Sequence, residues 1–228
     1  MQLRAENISR RYFRKQGEAN FFEAVRPVSL LLENGKLTVL SGKSGSGKTT
    51  LMNMLAGLLN PTEGKVFLDD VDLYALEDGP LSRLRHEKIG VIPQGRSAVE
   101  TLTVYENILL PGILYGGAPR TAEAEKWMDA FGISGLRDAM PAELSGGELR
   151  RMAIARTLTA DPAVILADEP TGDLDSENTA VVLCALQQAA RAGKTVLVVS
   201  HDAEAEAYAD RSFRMDRGIL SGKDVEPA

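Results

Sequence analysis

Cysteine is almost absent from this sequence, because its 228 residues contain only Cys184. A single cysteine excludes a disulfide framework within the chain and is typical of a protein from a reducing compartment. The surrounding stretch TAVVLCALQQAA is largely apolar. We therefore expect Cys184 to be a small buried side chain on an apolar helix face rather than a reactive thiol.

Long apolar runs are missing as well. The longest candidate, ILLPGILYGG, is shorter than the roughly 20 residues that a membrane-spanning helix requires, and Pro111 and Gly112 interrupt it. The first fifteen residues, MQLRAENISRRYFRK, lack the apolar centre of a signal peptide. Any role at a membrane is therefore expected to come through a partner protein.

An excess of positive charge is the third absence. The chain has 26 Lys and Arg against 32 Asp and Glu, a formal net charge of −6. Non-specific binding to DNA or to acidic lipid gains nothing from this balance, so we expect no nucleic-acid partner. The content of 44% hydrophobic and 25% charged residues is that of an ordinary globular protein with an ample core.

Strand and helix signals alternate along the chain. The continuous apolar runs AVILADE (163–169) and TVLVVS (195–200) are typical of strands that are buried on both faces of a parallel sheet. VSLLLE (28–33) and KLTVLSG (36–42) read as strands around a turn at Asn34-Gly35. Between about 103 and 159 the pattern is helical. We predict one α/β domain with a helical insertion between two strands of its sheet.

The stretch GKSGSGKT (42–49) matches the phosphate-loop pattern G-x-x-x-x-G-K-[ST] and lies between a strand signal and a helix signal. Its glycines allow backbone N–H groups to turn inward around phosphates, while Lys48 adds a positive charge and the Thr49 hydroxyl can ligate Mg²⁺. The alternative is a glycine-rich turn with a coincidental lysine. The strand before it and the helix after it favour nucleoside triphosphate binding.

Two carboxylates follow one buried strand signal: AVILADEP places Asp168 and Glu169 at its carboxyl end. Ligands of open α/β sheets gather at this edge. Asp168 is then suited to hold Mg²⁺, and Glu169 is suited to accept a proton from an attacking water. The alternative is that both carboxylates merely cap the strand.

Polar side chains also follow two other strand signals. His201 ends TVLVVSH, where a contact with a γ-phosphate would be supplied, and Gln94 ends VIPQ, where its amide can reach Mg²⁺ or the attacking water. The other histidine, His86 in LRHEKIG, is expected to have a structural role only.

A second anion site is indicated at residues 144–151, LSGGELRR. Ser145 begins a helix pattern, and the first backbone N–H groups of that helix would form its positive end. The spacing of Ser145 and Glu148 also fits an S-x-x-E capping box, and the two interpretations are compatible.

These motifs in this order resemble the ATP-binding-cassette (ABC) ATPases over nearly the whole chain. The matching segments are GKSGSGKT, the Q-loop Gln94, LSGGE at 144–148, ILADEP, GDLD at 172–175, and His201. The resemblance implies a P-loop NTPase fold with a mixed sheet core, an antiparallel β lobe and a helical signature subdomain. It further implies one domain over 1–228, with 1–94 and 160–228 as nucleotide-binding core and about 95–159 as helical subdomain.

Ligands and partners also follow from the resemblance. They are ATP, Mg²⁺ held by Thr49, Gln94 and Asp168, an integral membrane permease, and a second copy or homologue that dimerises with the chain in the presence of ATP. The location is then the cytoplasmic face of the cell membrane, through the permease. The residues expected to bind ATP are Tyr12, Gly42, Lys43, Ser44, Gly45, Ser46, Gly47, Lys48, Thr49, Thr50 and Gln94. The expected catalytic residues are Glu169, His201 and Lys48.

The dimer gives the second anion site its role. By resemblance, the signature residues Ser145, Gly146, Gly147 and Glu148 act on the nucleotide that the partner cassette holds, and Asp175 communicates across the dimer. Tyr12 best matches the aromatic residue that stacks on adenine, although Phe13 and Phe22 compete with it.

Within the family, the chain resembles the lipoprotein-release, macrolide-export and antimicrobial-peptide-resistance branch. Lys43 stands where the phosphate loop commonly has a proline, and GRSAVETLT (95–103) replaces a more hydrophobic segment that grips the permease. The alternative from another class is a non-transport ABC ATPase that acts on the ribosome or on DNA. A kinase or another P-loop enzyme has no use for LSGGE. The sequence does not identify the transported substrate.

Overall fold

Two β-sheets organise the chain, for which the computed structural model describes residues 1–13 and 21–222. One sheet has six strands in the order β10-β9-β3-β8-β7-β6, and the other has four in the order β2-β1-β4-β5. The strands are β1 Leu3–Phe13, β2 Phe21–Leu32, β3 Leu37–Ser41, β4 Glu63–Leu68, β5 Val71–Asp72, β6 Ile89–Ile92, β7 Val164–Asp168, β8 Thr195–Val199, β9 Arg211–Asp216 and β10 Ile219–Ser221.

Six α-helices surround these sheets in the described part of the chain. They are α1 Lys48–Leu55, α2 Asp78–Lys88, α3 Val104–Ile113, α4 Thr121–Ala130, α5 Gly146–Ala160 and α6 Ser176–Arg191. Within residues 1–13 and 21–222, no helix is both long enough and apolar enough to span a membrane.

The six-stranded sheet is parallel from β9 to β6, and only β10 is antiparallel to its neighbour. Every residue of β7 and β8 is buried. Because apolar side chains then point to both faces, the prediction of parallel strands from continuous apolar runs is confirmed.

Two hydrophobic cores lie on the two faces of this sheet. One joins α3, α4, α5 and α6 to residues such as Ile165 and Val196. The other joins α1 to the four-stranded antiparallel sheet and to Leu166 and Leu197. The mixed sheet, the antiparallel lobe and the helices of the predicted fold are all present.

The predicted turn at Asn34-Gly35 lies between β2 and β3, but the two strands belong to different sheets, because β2 pairs with β1 while β3 pairs with β8 and β9. One local prediction is wrong. Cys184 is exposed rather than buried. The buried face of α6 carries Val182, Leu183 and Leu186, and position 184 falls on the other side of the helix.

Candidate active site

The phosphate loop is a tight connection between β3 and α1. Gly47 precedes the helix with φ at +106°, and a Cβ at this position would lie 2.1 Å from the carbonyl oxygen of Ala24. Only glycine fits there, because both the backbone angle and the close approach exclude a side chain. Lys48 begins α1, and its Nζ donates hydrogen bonds to the carbonyl oxygens of Gly42 at 2.7 Å and Lys43 at 3.1 Å.

A cleft of about 710 Å³ opens in front of this loop. Loop residues, strand-end residues and two aromatic residues share it. The lining consists of Tyr12, Phe22, Ala24, Lys43, Ser44, Gly45, Gly47, Lys48, Thr49, Thr50, Gln94, Asp168, Glu169 and His201.

Two predicted loop residues lie outside this lining. Ser46 is buried, and its hydroxyl has no hydrogen-bond partner among the described residues. Gly42 instead lines a neighbouring cavity. Neither residue therefore contributes a side chain to the lining of the cleft.

Thr49 and Asp168 meet directly at the edge of the sheet, where the Thr49 Oγ1 donates to the Asp168 Oδ2 at 2.7 Å. Asp168 is only 2% exposed. Burial raises the pKa of Asp168, while the Thr49 hydroxyl and the positive charges of Lys48 and Arg150 act in the opposite direction. A hydroxyl and a buried carboxylate are the oxygen donors that Mg²⁺ prefers. This pair therefore fits a magnesium ion that takes its remaining ligands from phosphate and water.

Glu169 and His201 form the second pair in the cleft. The Glu169 side chain is 13% exposed and its Oε1 lies 2.9 Å from the His201 Nδ1. The backbone of Glu169 has φ at +47°, and its N–H donates to the carbonyl oxygen of Val199 at 2.8 Å. A non-glycine residue at positive φ is uncommon and is often found at functional sites. The turn after β7 thus presents the carboxylate to the cleft.

The aromatic end of the cleft consists of Tyr12 on β1 and Phe22 on β2, which are directly paired in the antiparallel register. Phe13 is 91% exposed and does not line the cleft. Of the three aromatic candidates for a stacking role, the geometry leaves Tyr12 and Phe22. The guanidinium of Arg10 lies 4.8 Å from the centre of the Tyr12 ring.

The signature segment lines a separate cavity of about 580 Å³. The residues around this cavity are Ser145, Gly146, Gly147, Arg151, Asp173, Leu174, Asp175 and Asn178. In the part of the chain that the structure describes, this lining shares no residue with the first cleft. The signature and the phosphate loop of one chain therefore line different cavities.

A capping box begins α5, as the spacing predicts. The Glu148 carboxylate accepts from the Ser145 N–H at 2.8 Å and from the Ser145 hydroxyl at 2.7 Å, and the Ser145 hydroxyl accepts from the Glu148 N–H at 3.3 Å. These hydrogen bonds lower the pKa of Glu148. Asp175 caps α6 by accepting from the Asn178 N–H at 2.8 Å.

Residues 25–172 match the family model described as "ABC transporter". The chain belongs to the ABC transporter family. It is the ATP-binding, ATP-hydrolysing cassette subunit of a transporter, and the lipoprotein-release and macrolide-export branch fits it.

Curated relatives agree with this assignment. The cassette is 36% identical over 202 residues to the lipoprotein-releasing system ATP-binding protein LolD of Saccharophagus degradans, covering 87% of this chain and 89% of the relative. It is 39% identical over 203 residues to the macrolide export ATP-binding/permease protein MacB of Rhodopirellula baltica, covering 86% of this chain and 30% of that larger protein. Both names belong to transporters, which favours transport over the alternative roles.

A solved structure extends the likeness to the whole fold. The dimeric structure of the bacterial ABC transporter cassette MJ0796 superposes with a TM-score of 0.88 at 33% identity, covering 98% of this chain and 97% of that one. A second structure of MJ0796, in a post-hydrolysis state bound to ADP and Pi, matches equally well. Family membership and these nucleotide-bound and dimeric structures support ATP binding and dimer formation by this cassette.

Sequence reasoning missed two arginines of the cassette. Arg150 and Arg156, both on α5, donate to the segment after β6: Arg150 to the Pro93 carbonyl at 2.7 Å, and Arg156 to the Ser97 carbonyl at 2.8 Å. The only available signal was their position inside an otherwise apolar helix pattern. Since buried arginines are uncommon, the pattern alone predicts solvated charges.

Proposed function

We propose that MgATP binds in the cleft, with phosphates held by the loop N–H groups and Lys48. The observation that carries this proposal is the contact of Thr49 with the buried Asp168, which lies beside the phosphate loop. The two side chains would hold Mg²⁺, with the Gln94 amide as a third protein ligand. The ion would neutralise phosphate charge, which Lys48 alone cannot balance. The adenine ring would stack on Tyr12, with Phe22 beside it.

Glu169 is proposed as the general base. Its carboxylate lies in the cleft with His201 at 2.9 Å, so it can accept a proton from a water that attacks the γ-phosphate. The His201 side chain is 74% exposed, so a γ-phosphate in the cleft could reach its ring while Nδ1 contacts Glu169. Proton transfer to a positioned base typically contributes about 10² to 10⁴ in rate.

The signature cavity is proposed to act in trans. Ser145, Gly146 and Gly147 open a helix of fifteen residues, where N–H groups and the helix dipole favour an anion. Since their cavity is separate from the cleft of the same chain, the γ-phosphate they meet would belong to a second cassette. Glu148 would hold Ser145 in place through the capping box, and Asp175 would lie at the dimer contact.

An integral membrane permease is the proposed partner, and it would keep the cassette at the cytoplasmic face of the membrane. The related protein MacB is named as an ATP-binding/permease protein, and this combination supports the proposal. Dimer closure on ATP and reopening after hydrolysis would move the permease. We propose a nucleotide-binding core over 1–94 and 160–228. The helical subdomain, about 95–159, would transmit the motion.

The variant Glu169→Gln tests the base. We expect it to bind MgATP, to hydrolyse it at least about 100-fold more slowly, and to accumulate as an ATP-dependent dimer in size-exclusion chromatography. Glu204→Gln is the matched control, because Glu204 is an exposed carboxylate near His201 that does not line the cleft. Turnover close to that of the control would refute the assignment of Glu169.

The same variant tests the partner. Tagged Glu169→Gln protein with MgATP is used to capture partners from detergent-solubilised native membranes, and mass spectrometry reads the result. A stoichiometric multi-span membrane protein supports the permease, and its external domain would narrow the substrate class. Ribosomal or DNA-bound proteins alone would contradict the proposed partner.

A further inference from the structure

A buried arginine lies between the signature helix and the catalytic edge of the sheet. Arg150 is on α5, four residues after the start of that helix, and is only 8% exposed. Its guanidinium donates to the carbonyl oxygen of Pro93, the residue before Gln94, at 2.7 Å. One hydrogen bond therefore joins the signature helix to the loop that carries a proposed magnesium ligand.

The same guanidinium faces an acidic environment. Asp173, Asp168 and Glu169 all act on it electrostatically, and Arg150 in turn acts on Asp168. In the described part of the chain, Arg150 makes no direct ion pair with any of them, so these interactions act at longer range. Burial lowers the pKa of Arg150, and the carboxylates oppose this effect. Since burying a cation is costly, its position depends on that acidic edge.

We propose that Arg150 is a positioning residue for ATP hydrolysis. It fixes the backbone before Gln94 to α5, and its positive charge acts on Asp168 and Glu169. The orientation of the carboxylates and of the Q-loop backbone then depends on the position of the signature helix. A shift of α5 would reach the catalytic edge of the same chain through this side chain. The inference rests on the catalytic role proposed for Glu169.

Arg156 provides a matched control on the same helix. It lies six residues later, is partly buried, and holds the same segment through the Ser97 carbonyl at 2.8 Å and the Ser97 hydroxyl at 2.7 Å. Burial lowers its pKa, and within residues 1–13 and 21–222 no carboxylate contributes to the shift. Arg156 thus contacts the same segment as Arg150 and is also withdrawn from solvent, although less completely, and in the described part of the chain no carboxylate shifts its pKa. A comparison of the two arginines separates loop anchoring from an effect on the carboxylates.

The experiment compares Arg150→Met, Arg150→Lys and Arg156→Met in the full chain. The measurements are kcat and KM for ATP, the Kd of a fluorescent non-hydrolysable ATP analogue, and Tm. We expect Arg150→Met to lower kcat by about tenfold or more, since small misplacements of reacting groups have effects of this order or larger. KM and the analogue Kd should stay within about threefold, because the phosphate loop is untouched.

The other two variants give the proposal its specificity. Arg150→Lys should return kcat to within about threefold of the parent, because lysine keeps the charge and a donor for the Pro93 carbonyl. Arg156→Met should lower Tm about as much as Arg150→Met while kcat stays within about threefold. Equal losses of kcat in the two methionine variants, or no rescue by lysine, would overturn the proposal.

The proposal can be tested even if the Arg150→Met variant fails to fold. If Arg150→Met does not fold, Arg150→Gln replaces it, because glutamine keeps a hydrogen-bond donor without the charge. A glutamine variant with the kcat of the lysine variant would then overturn the proposal. Glu169→Gln is measured in parallel: normal turnover there defeats the proposed base. Slow turnover there with a normal kcat in Arg150→Met defeats only the inference on Arg150.

Discussion

Replacing Gly47 by alanine tests how the phosphate loop is held in place. Gly47 has φ at +106°, and an added Cβ would lie 2.1 Å from the carbonyl oxygen of Ala24 on β2. Gly45, two residues earlier in the same loop, has φ at +75°, and no atom of the described residues lies within 4 Å of an added Cβ there. The two substitutions therefore share the backbone penalty and differ in the steric clash.

The magnitudes follow from this comparison. Alanine at positive φ costs about 1–2 kcal/mol, and the smaller entropy of its unfolded chain returns about 0.4–1 kcal/mol. Gly45→Ala should therefore lower the free energy of unfolding by about 1 kcal/mol. Gly47→Ala must also displace the backbone of β2 or the loop, and overpacking of this kind costs a further 1–3 kcal/mol, roughly. We expect a total of about 3 kcal/mol for Gly47→Ala.

Thermal unfolding followed by circular dichroism measures the difference. For a chain of this size, 1 kcal/mol corresponds to about 2–4 °C in Tm, so Gly47→Ala should melt about 4–8 °C below Gly45→Ala. Urea unfolding should give the same order of stability with an unchanged m-value. Equal Tm values for the two variants would refute the steric reasoning. A lower Tm for Gly45→Ala would refute it as well.

Two further predictions concern the aromatic residues and the signature. Tyr12→Ala should weaken ATP binding by about tenfold, since stacking contributes roughly 1–3 kcal/mol per base. Phe13→Ala should change ATP binding less than about twofold, because Phe13 is outside the cleft. Equilibrium binding of a fluorescent ATP analogue measures both affinities, and equal effects of the two variants would contradict the stacking role of Tyr12. Ser145→Ala should lower the free energy of unfolding by about 1 kcal/mol through loss of the helix cap. In the Glu169→Gln background it should also reduce the ATP-dependent dimer in size-exclusion chromatography, and an undiminished dimer would contradict the role in trans.

The features that the sequence predicts well are those that local patterns determine. The apolar runs that become β7 and β8 have no polar face, so burial on both sides was the natural prediction. The phosphate loop follows β3, Asp168 is the last residue of β7, and Glu169 comes directly after it. Their meeting in one cleft then follows from the parallel order of the strands.

Features that depend on pairing between distant segments were harder to predict. β1 was not predicted, because its pairing with β2 and β4 shifts register between Ala5 and Arg11, which breaks the alternation of buried and exposed residues. The turn at Asn34-Gly35 carries a hairpin signal, yet its two strands join different sheets. No local sequence pattern indicates which sheet each of the two strands joins.

Helix faces limited the prediction in another way. Cys184 lies among apolar residues in the sequence, but the exposed side of α6 places it one turn from Gln188, whose side-chain amide lies 3.5 Å from its sulfur. Arg150 is the opposite case, a charged residue that the packing buries. Both depend on which side of a helix meets its neighbours, and a short mixed segment does not specify that side.

The separation of the two cavities bears on how a pair of cassettes responds to ATP concentration. If each signature closes on the nucleotide of the other chain, a symmetric pair contains two composite sites, and full closure needs both to be filled. The closed fraction would then rise with the square of site occupancy at low ATP, with a Hill coefficient approaching two. Such a pair would stay open while ATP is scarce and would close over a narrow concentration range.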